Sequence, residues 1–100
     1  MIKHVVMWKL LDIAEGNEKE HNKTIIKEKL EGLKQNIQQI ESLEIGFNFN
    51  PSDMAYDVVL ITTHNSKSEL LEYIEHPAHK EAANFIGKVV GDRKVVDFEY

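Results

Sequence analysis

Residues 2–10 read IKHVVMWKL, and the fold turns on how this stretch is covered. In an extended chain successive side chains point to opposite faces. Ile2, His4, Val6, Trp8 and Leu10 share one face; Lys3, Val5, Met7 and Lys9 share the other. Both rows are substantially apolar, so the stretch reads as a strand covered on both sides.

The rest of the chain supplies one of the covers. Residues 12–23 are polar, and Asn17 followed three residues later by Glu20 suits a helix start. Ile26, Leu30, Leu33, Ile37 and Ile40 then step by four, three, four and three, which places one apolar stripe on a helix interrupted at Gly32. In residues 42–50 Leu43, Ile45, Phe47 and Phe49 alternate with polar residues or glycine, a half-buried strand ending in the turn Asn50–Pro51–Ser52–Asp53. Residues 55–64, AYDVVLITTH, form a β-branched strand. Asn65 or Ser66 caps a short helix bearing Leu70, Leu71 and Ile74; Pro77 ends it and opens a second. That helix carries Ala82, Ala83, Phe85, Ile86 and Val89, stops at Gly91, and leads to a closing strand over 93–100.

The order β-α-β-β-α-β predicts an α+β, ferredoxin-like domain over residues 1–100, with a four-stranded antiparallel sheet and both helices on one face. The other face, with Val5, Met7, Val59 and Ile61, has nothing in the same chain to cover it. There is no internal repeat, so a second copy of the chain is the expected cover, giving a homodimeric α/β barrel.

Composition narrows the function classes. The net charge is −5, so no basic surface for nucleic acid is expected. Cysteine is absent, which excludes disulfides and thiol chemistry. No apolar run approaches the roughly 20 residues that span a bilayer, and no small-residue cleavage site follows the first strand; a cytoplasmic protein without membrane contact is expected. Glycine-rich phosphate loops and nucleophile elbows are absent, and no cofactor is expected.

The stretches IKHVVMWKL, LEIGFN, YDVVL, EYIEHPAH (72–79) and RKVVDFEY (93–100), taken together and in this order over the whole chain, resemble the stress-responsive A/B-barrel (Dabb) family. The resemblance implies a ferredoxin-like monomer whose sheet packs on its twin. Most small members of that family have no assigned reaction. One plant branch contains a polyketide cyclase that closes a ring by aldol condensation, using a histidine and a tyrosine that look like His79 and Tyr73 here. His4 resembles a histidine that points into the same cavity. Two positions depart from the pattern: Ala82 stands where that branch carries an aromatic, and His64 where the family more often has a phenylalanine.

The residues themselves allow two readings. His79 falls in the first turn opened by Pro77, where backbone N–H groups disfavour an imidazolium. A neutral His79 could act as a base, with Tyr73 and His4 as helpers and Trp8, His64, Ile74 and Ala82 as ligand-binding candidates. Alternatively His79 and Tyr73 only knit two helices together, and His4 and Trp8 are core. His76 and His79 have a spacing that could seat zinc, but further ligands would have to come from His4 or His64, and no metal site is assigned. Asp97 is read as a local pairing partner. Two functions follow: a protein that binds an apolar small molecule between sheet and helices without turnover, or a cofactor-free cyclase, lyase or isomerase acting on a carbonyl compound.

Overall fold

In the computed structural model, which describes residues 1–100, strand β1 spans Ile2–Leu10 and alternates buried and half-buried side chains along its whole length. The buried row is Ile2, His4, Val6, Trp8 and Leu10. Next come two short strands, β2 (Ile13–Ala14) and β3 (Asn17–Glu18), paired as a hairpin. Glu15 and Gly16 make its turn with φ of 51° and 75°, the pair of positive values that a tight hairpin loop requires. This hairpin corrects the helix start expected at Asn17. Helix α1 runs Lys19–Glu31 from Glu18, which makes no side-chain cap. The Asn22 side chain instead ties the hairpin to the helix by donating to the Ala14 carbonyl.

The apolar stripe also outruns its helix. After Gly32 a single turn, α2 (Leu33–Asn36), ends at Ile37 in extended backbone. Ile37 and Ile40 are buried nonetheless, as parts of the connection. Strand β4 is Ser42–Phe47, shorter than expected. Beyond it Asn48 and Asn50 bond to nearby backbone: Asn50 N–H donates to Asn48 Oδ1 at 2.9 Å, and Ser52 N–H to Asn50 Oδ1 at 3.0 Å. Such local bonds replace the strand ladder. Phe49 is therefore 99% exposed, against the half-buried position that alternation predicts.

Strand β5 covers Val58–His64, and helix α3 covers Lys67–Glu75. Ser66 caps α3 by accepting from the Glu69 N–H. Its inward residues are Leu70 and Tyr73, while Leu71 is exposed. Helix α4 (Pro77–Val89) follows after one extended residue, His76. It buries Ala82, Ile86 and Val89; Ala83 is exposed and Phe85 half-buried. Strand β6 begins immediately, Val90–Glu99, so Gly91 lies within the strand rather than stopping the helix.

The sheet has the order β4-β5-β1-β6 and every neighbouring pair is antiparallel. The helices pack on the face that carries Val6, Trp8, Val58 and Leu60, and the core lies between. On the opposite face Val5 lies between Ile61 and Val96, and Met7 beside Val59. Val96 and Phe98 there are 57% and 44% exposed. No helix is long and apolar enough to cross a membrane.

Candidate functional site

Tyr73 is the hub of the interior polar groups. It is completely buried, and three histidine rings surround it. His79 meets it edge-on with centroids 4.7 Å apart, His64 lies tilted at 4.9 Å, and His4 is edge-on at 6.1 Å. Each comes from a different element: His4 from the buried row of β1, His64 from the end of β5, Tyr73 from α3 and His79 from the first turn of α4.

The joint between the two helices sets this geometry. A residue before proline is held out of the helical region, and His76 adopts φ −64°, ψ 136°. Its Nδ1 accepts the Ala78 N–H at 3.0 Å and so caps α4. The chain turns there, and His79 comes back over Tyr73. With its Nδ1 used as a cap, His76 is not set up to share a zinc ion with His79, and no three His, Asp or Glu side chains gather in a metal-binding group.

A cavity of about 130 Å³ lies between the inner sheet face and helices α1 and α4. Its wall is mostly apolar, with Trp8, Leu60, Ala82 and Ile86 among the lining side chains. His4, Tyr73 and His79 also line it. The lining residues Ala83, Gly87 and Arg93 are exposed, so the cavity opens on their side. Of the residues considered from sequence, the fold brings His4, Trp8, Tyr73, His79 and Ala82 to this one space. His64 lies behind Tyr73, and Ile74 packs against the core away from the lining.

The hydrogen bonds fix how the rings are oriented. His4 Nδ1 pairs with the Asp97 carboxylate directly across from it on β6. The carboxylate accepts, so Nδ1 carries the hydrogen and Nε2 is left as the free nitrogen. His64 Nδ1 lies 2.6 Å from the Gln39 carbonyl, which can only accept; Nε2 therefore accepts from the Thr62 hydroxyl at 2.9 Å. Tyr73 Oη and His79 Nδ1 are buried and have no hydrogen-bond partner. Thr62 is near enough to act on Tyr73, but no hydrogen bond of normal geometry joins the two. Buried polar atoms without partners are rare, and beside a cavity they are what a bound molecule would satisfy.

Charge states follow from burial. Burial pushes the Tyr73 phenol up to about 12, with the Arg93 guanidinium working against it, so the hydroxyl keeps its proton. Burial holds His79 below the ordinary 6.5, with the Arg93 guanidinium acting in the same direction; the Ile74 carbonyl, which lies close without a hydrogen bond of normal geometry, opposes them. His64 is also lowered, first by burial, with the Gln39 carbonyl opposing. A neutral imidazole thus stands next to a neutral phenol at the wall of an apolar space.

Sequence reasoning missed Asp97 as the partner of His4, and missed Arg93 altogether. Antiparallel pairing of the first and last strands carried the signal for both, since it sets Asp97 opposite His4 and Arg93 opposite Trp8.

The fold is that of a ferredoxin-like α/β-barrel protein. The family model of the Stress Responsive A/B Barrel Domain (Dabb) matches residues 2–100, and the chain belongs to that family. No curated protein matches. Among solved structures, a dimeric protein of unknown function from Bacteroides fragilis is 25% identical, with a TM-score of 0.82 over 99% of this chain and 95% of its own. An Arabidopsis thaliana protein is 26% identical, with a TM-score of 0.79 over 100% and 95%. A hydroxynitrile lyase from Passiflora edulis is 13% identical, with a TM-score of 0.79 over 97% and 90%, a likeness of fold alone.

Proposed function

We propose that the cavity is a cofactor-free acid–base site for a small carbonyl compound, the chemistry of a lyase, isomerase or cyclase. The observation that carries the reading is the pairing of His79 and Tyr73, both at the cavity wall and each with a buried polar atom lacking a partner. In the step envisaged, the neutral His79 imidazole takes a proton from the carbon next to the carbonyl. The C–H electron pair moves into an enolate, whose oxygen accepts a hydrogen bond from Tyr73. Reversal returns the proton. His4, held by Asp97, presents Nε2 as a second polar group. The lowered pKa of His79 keeps it unprotonated at neutral pH, as a base must be. A 130 Å³ space suits a molecule of about one six-membered ring, since an engineered cavity of ~150 Å³ takes benzene. That the same fold carries a hydroxynitrile lyase in Passiflora edulis is compatible with such chemistry.

The test needs no knowledge of the natural substrate. Small ketones and aldehydes are incubated in D₂O, and exchange of the hydrogens next to the carbonyl is followed by NMR. Protein-catalysed exchange is expected, falling by about 10²-fold or more in His79→Ala and less in Tyr73→Phe. The rate should drop as the pH falls through the His79 pKa, below 6.5. Compounds that occupy the cavity without exchanging would sink the catalytic reading and leave the second one, a pocket that binds an apolar small molecule without turnover, which the mostly apolar wall favours.

The outer sheet face belongs to the same proposal. Two chains related by a two-fold axis would cover Val5, Met7, Val59 and Ile61 with their own copies, and structural relatives from Bacteroides fragilis and Thermobifida fusca are dimeric.

A further inference from the structure

We propose that the molecule held in this cavity is a small oxo acid, its carboxylate fixed by Arg93 at the mouth and its ketone oxygen placed at Tyr73. This rests on the reading of the cavity as a carbonyl site and adds the class of substrate. Arg93 stands on the inward row of β6, opposite Trp8, and is the only arginine or lysine lining the cavity. No aspartate or glutamate lines it. The acids closest along the strand are already engaged: Asp97 by His4, and Asp92, on the other face, by Tyr56 and Lys94. The Arg93 guanidinium forms no ion pair of its own, in a chain whose net charge is −5.

A planar group with five donors, unpaired at the open end of an apolar space, matches a carboxylate through two parallel hydrogen bonds. The inner end carries the opposite specification, a phenol donor and a neutral imidazole. The ligand therefore has its anion outward and its ketone inward. Acetoacetate meets both conditions at roughly the size of a benzene ring, which a cavity of this volume accommodates. Arg93 also bears on the chemistry: by balancing the carboxylate, it lessens the charge repulsion that a second negative charge on the enolate would meet.

Trp8 is the only tryptophan and lines the cavity, so its emission reports occupancy. Wild type and Arg93→Gln are titrated with acetoacetate and with methyl acetoacetate at constant ionic strength. The wild type should bind the acid at least about ten-fold more tightly than the ester, as expected for hydrogen bonds to a charged group. Arg93→Gln should bind the two alike, and Arg93→Lys should recover part of the preference. Arg93 is exposed, so these changes leave the core intact. If the ester binds the wild type as tightly as the acid, or Arg93→Gln keeps the preference, the oxo-acid assignment is overturned. The carbonyl site survives that result when exchange of the ester's hydrogens still depends on His79. If neither compound changes Trp8 emission and neither exchanges, both readings fall.

Discussion

Replacing Val5 by aspartate separates the two faces of the sheet. Val5 is half-buried on the central strand, between Ile61 and Val96, and its neighbours in sequence, His4 and Val6, point into the core. A stable pair of chains buries roughly 800 Å² on each, about an eighth of the 6218 Å² that one chain exposes. If about 65% of that area is apolar, roughly 1,000 Å² leaves water, contributing on the order of 25 kcal/mol before association costs of about 4–15 kcal/mol. Two-fold symmetry places the new carboxylate in the interface twice. An unpaired buried charge costs several kcal/mol, here taken as about 3 for each copy. A total of about 6 kcal/mol weakens the dimer by roughly four orders of magnitude. Sedimentation equilibrium at micromolar concentration reads this directly. The wild type should sediment as a dimer, and Val5→Asp should dissociate at concentrations roughly four orders of magnitude higher, with far-UV circular dichroism unchanged because the inward row is intact. A monomeric wild type, or a Val5→Asp dimer as tight as the parent, would refute the reasoning.

Stability should fall on the acid side of pH 6.5, because His64 and His79 are both held below that value, first by burial. The unfolded chain then binds more protons than the folded one, so stability is retained above 6.5 and lost as pH drops through the folded-state pKa values. A melting temperature equal at about pH 5 and about pH 8 would contradict this. Asp57→Ala removes the acceptor of the buried Leu10 N–H, bonded at 2.7 Å, and should cost about 1–3 kcal/mol in urea unfolding. His76→Ala removes the α4 cap and should cost about 1 kcal/mol by the same assay, with no loss of the cavity.

The sheet was legible because its signals are local. Alternation in Ile2–Leu10 reports burial on every second residue, and the buried row is the one the pattern names. The Pro77 joint was legible for the same reason, since proline acts on its immediate neighbours. What could not be read depends on partners far along the chain or on competition for backbone hydrogen bonds. Ile37 and Ile40 keep the helical spacing yet lie outside a helix, because the connection buries them equally well. Phe49 keeps the strand alternation yet lies in a turn held by asparagine side chains. In the site, His4, Tyr73 and His79 were named from their positions together with the family resemblance. Which polar atoms lack partners depends on register across 93 residues, from His4 to Asp97, and on which nitrogen of His64 meets the Gln39 carbonyl.

The strand order β4-β5-β1-β6 has a consequence for how the chain is made. Within this domain the first strand made is a central one, and its two neighbours are the third and last of the long strands. Ile2 must wait for His64 and then for Glu99 before its backbone groups are paired on both sides. At about 5–20 residues per second that interval is several seconds or more. During it, a segment apolar on both faces has two open edges. Pairings so distant in sequence also slow folding, since loop closure precedes any contact that rewards it. Lys3 and Lys9, which end as ring-stacked side chains near Tyr100 and Tyr56, place positive charges at both ends of this strand while it waits, where they oppose association of one nascent copy with another.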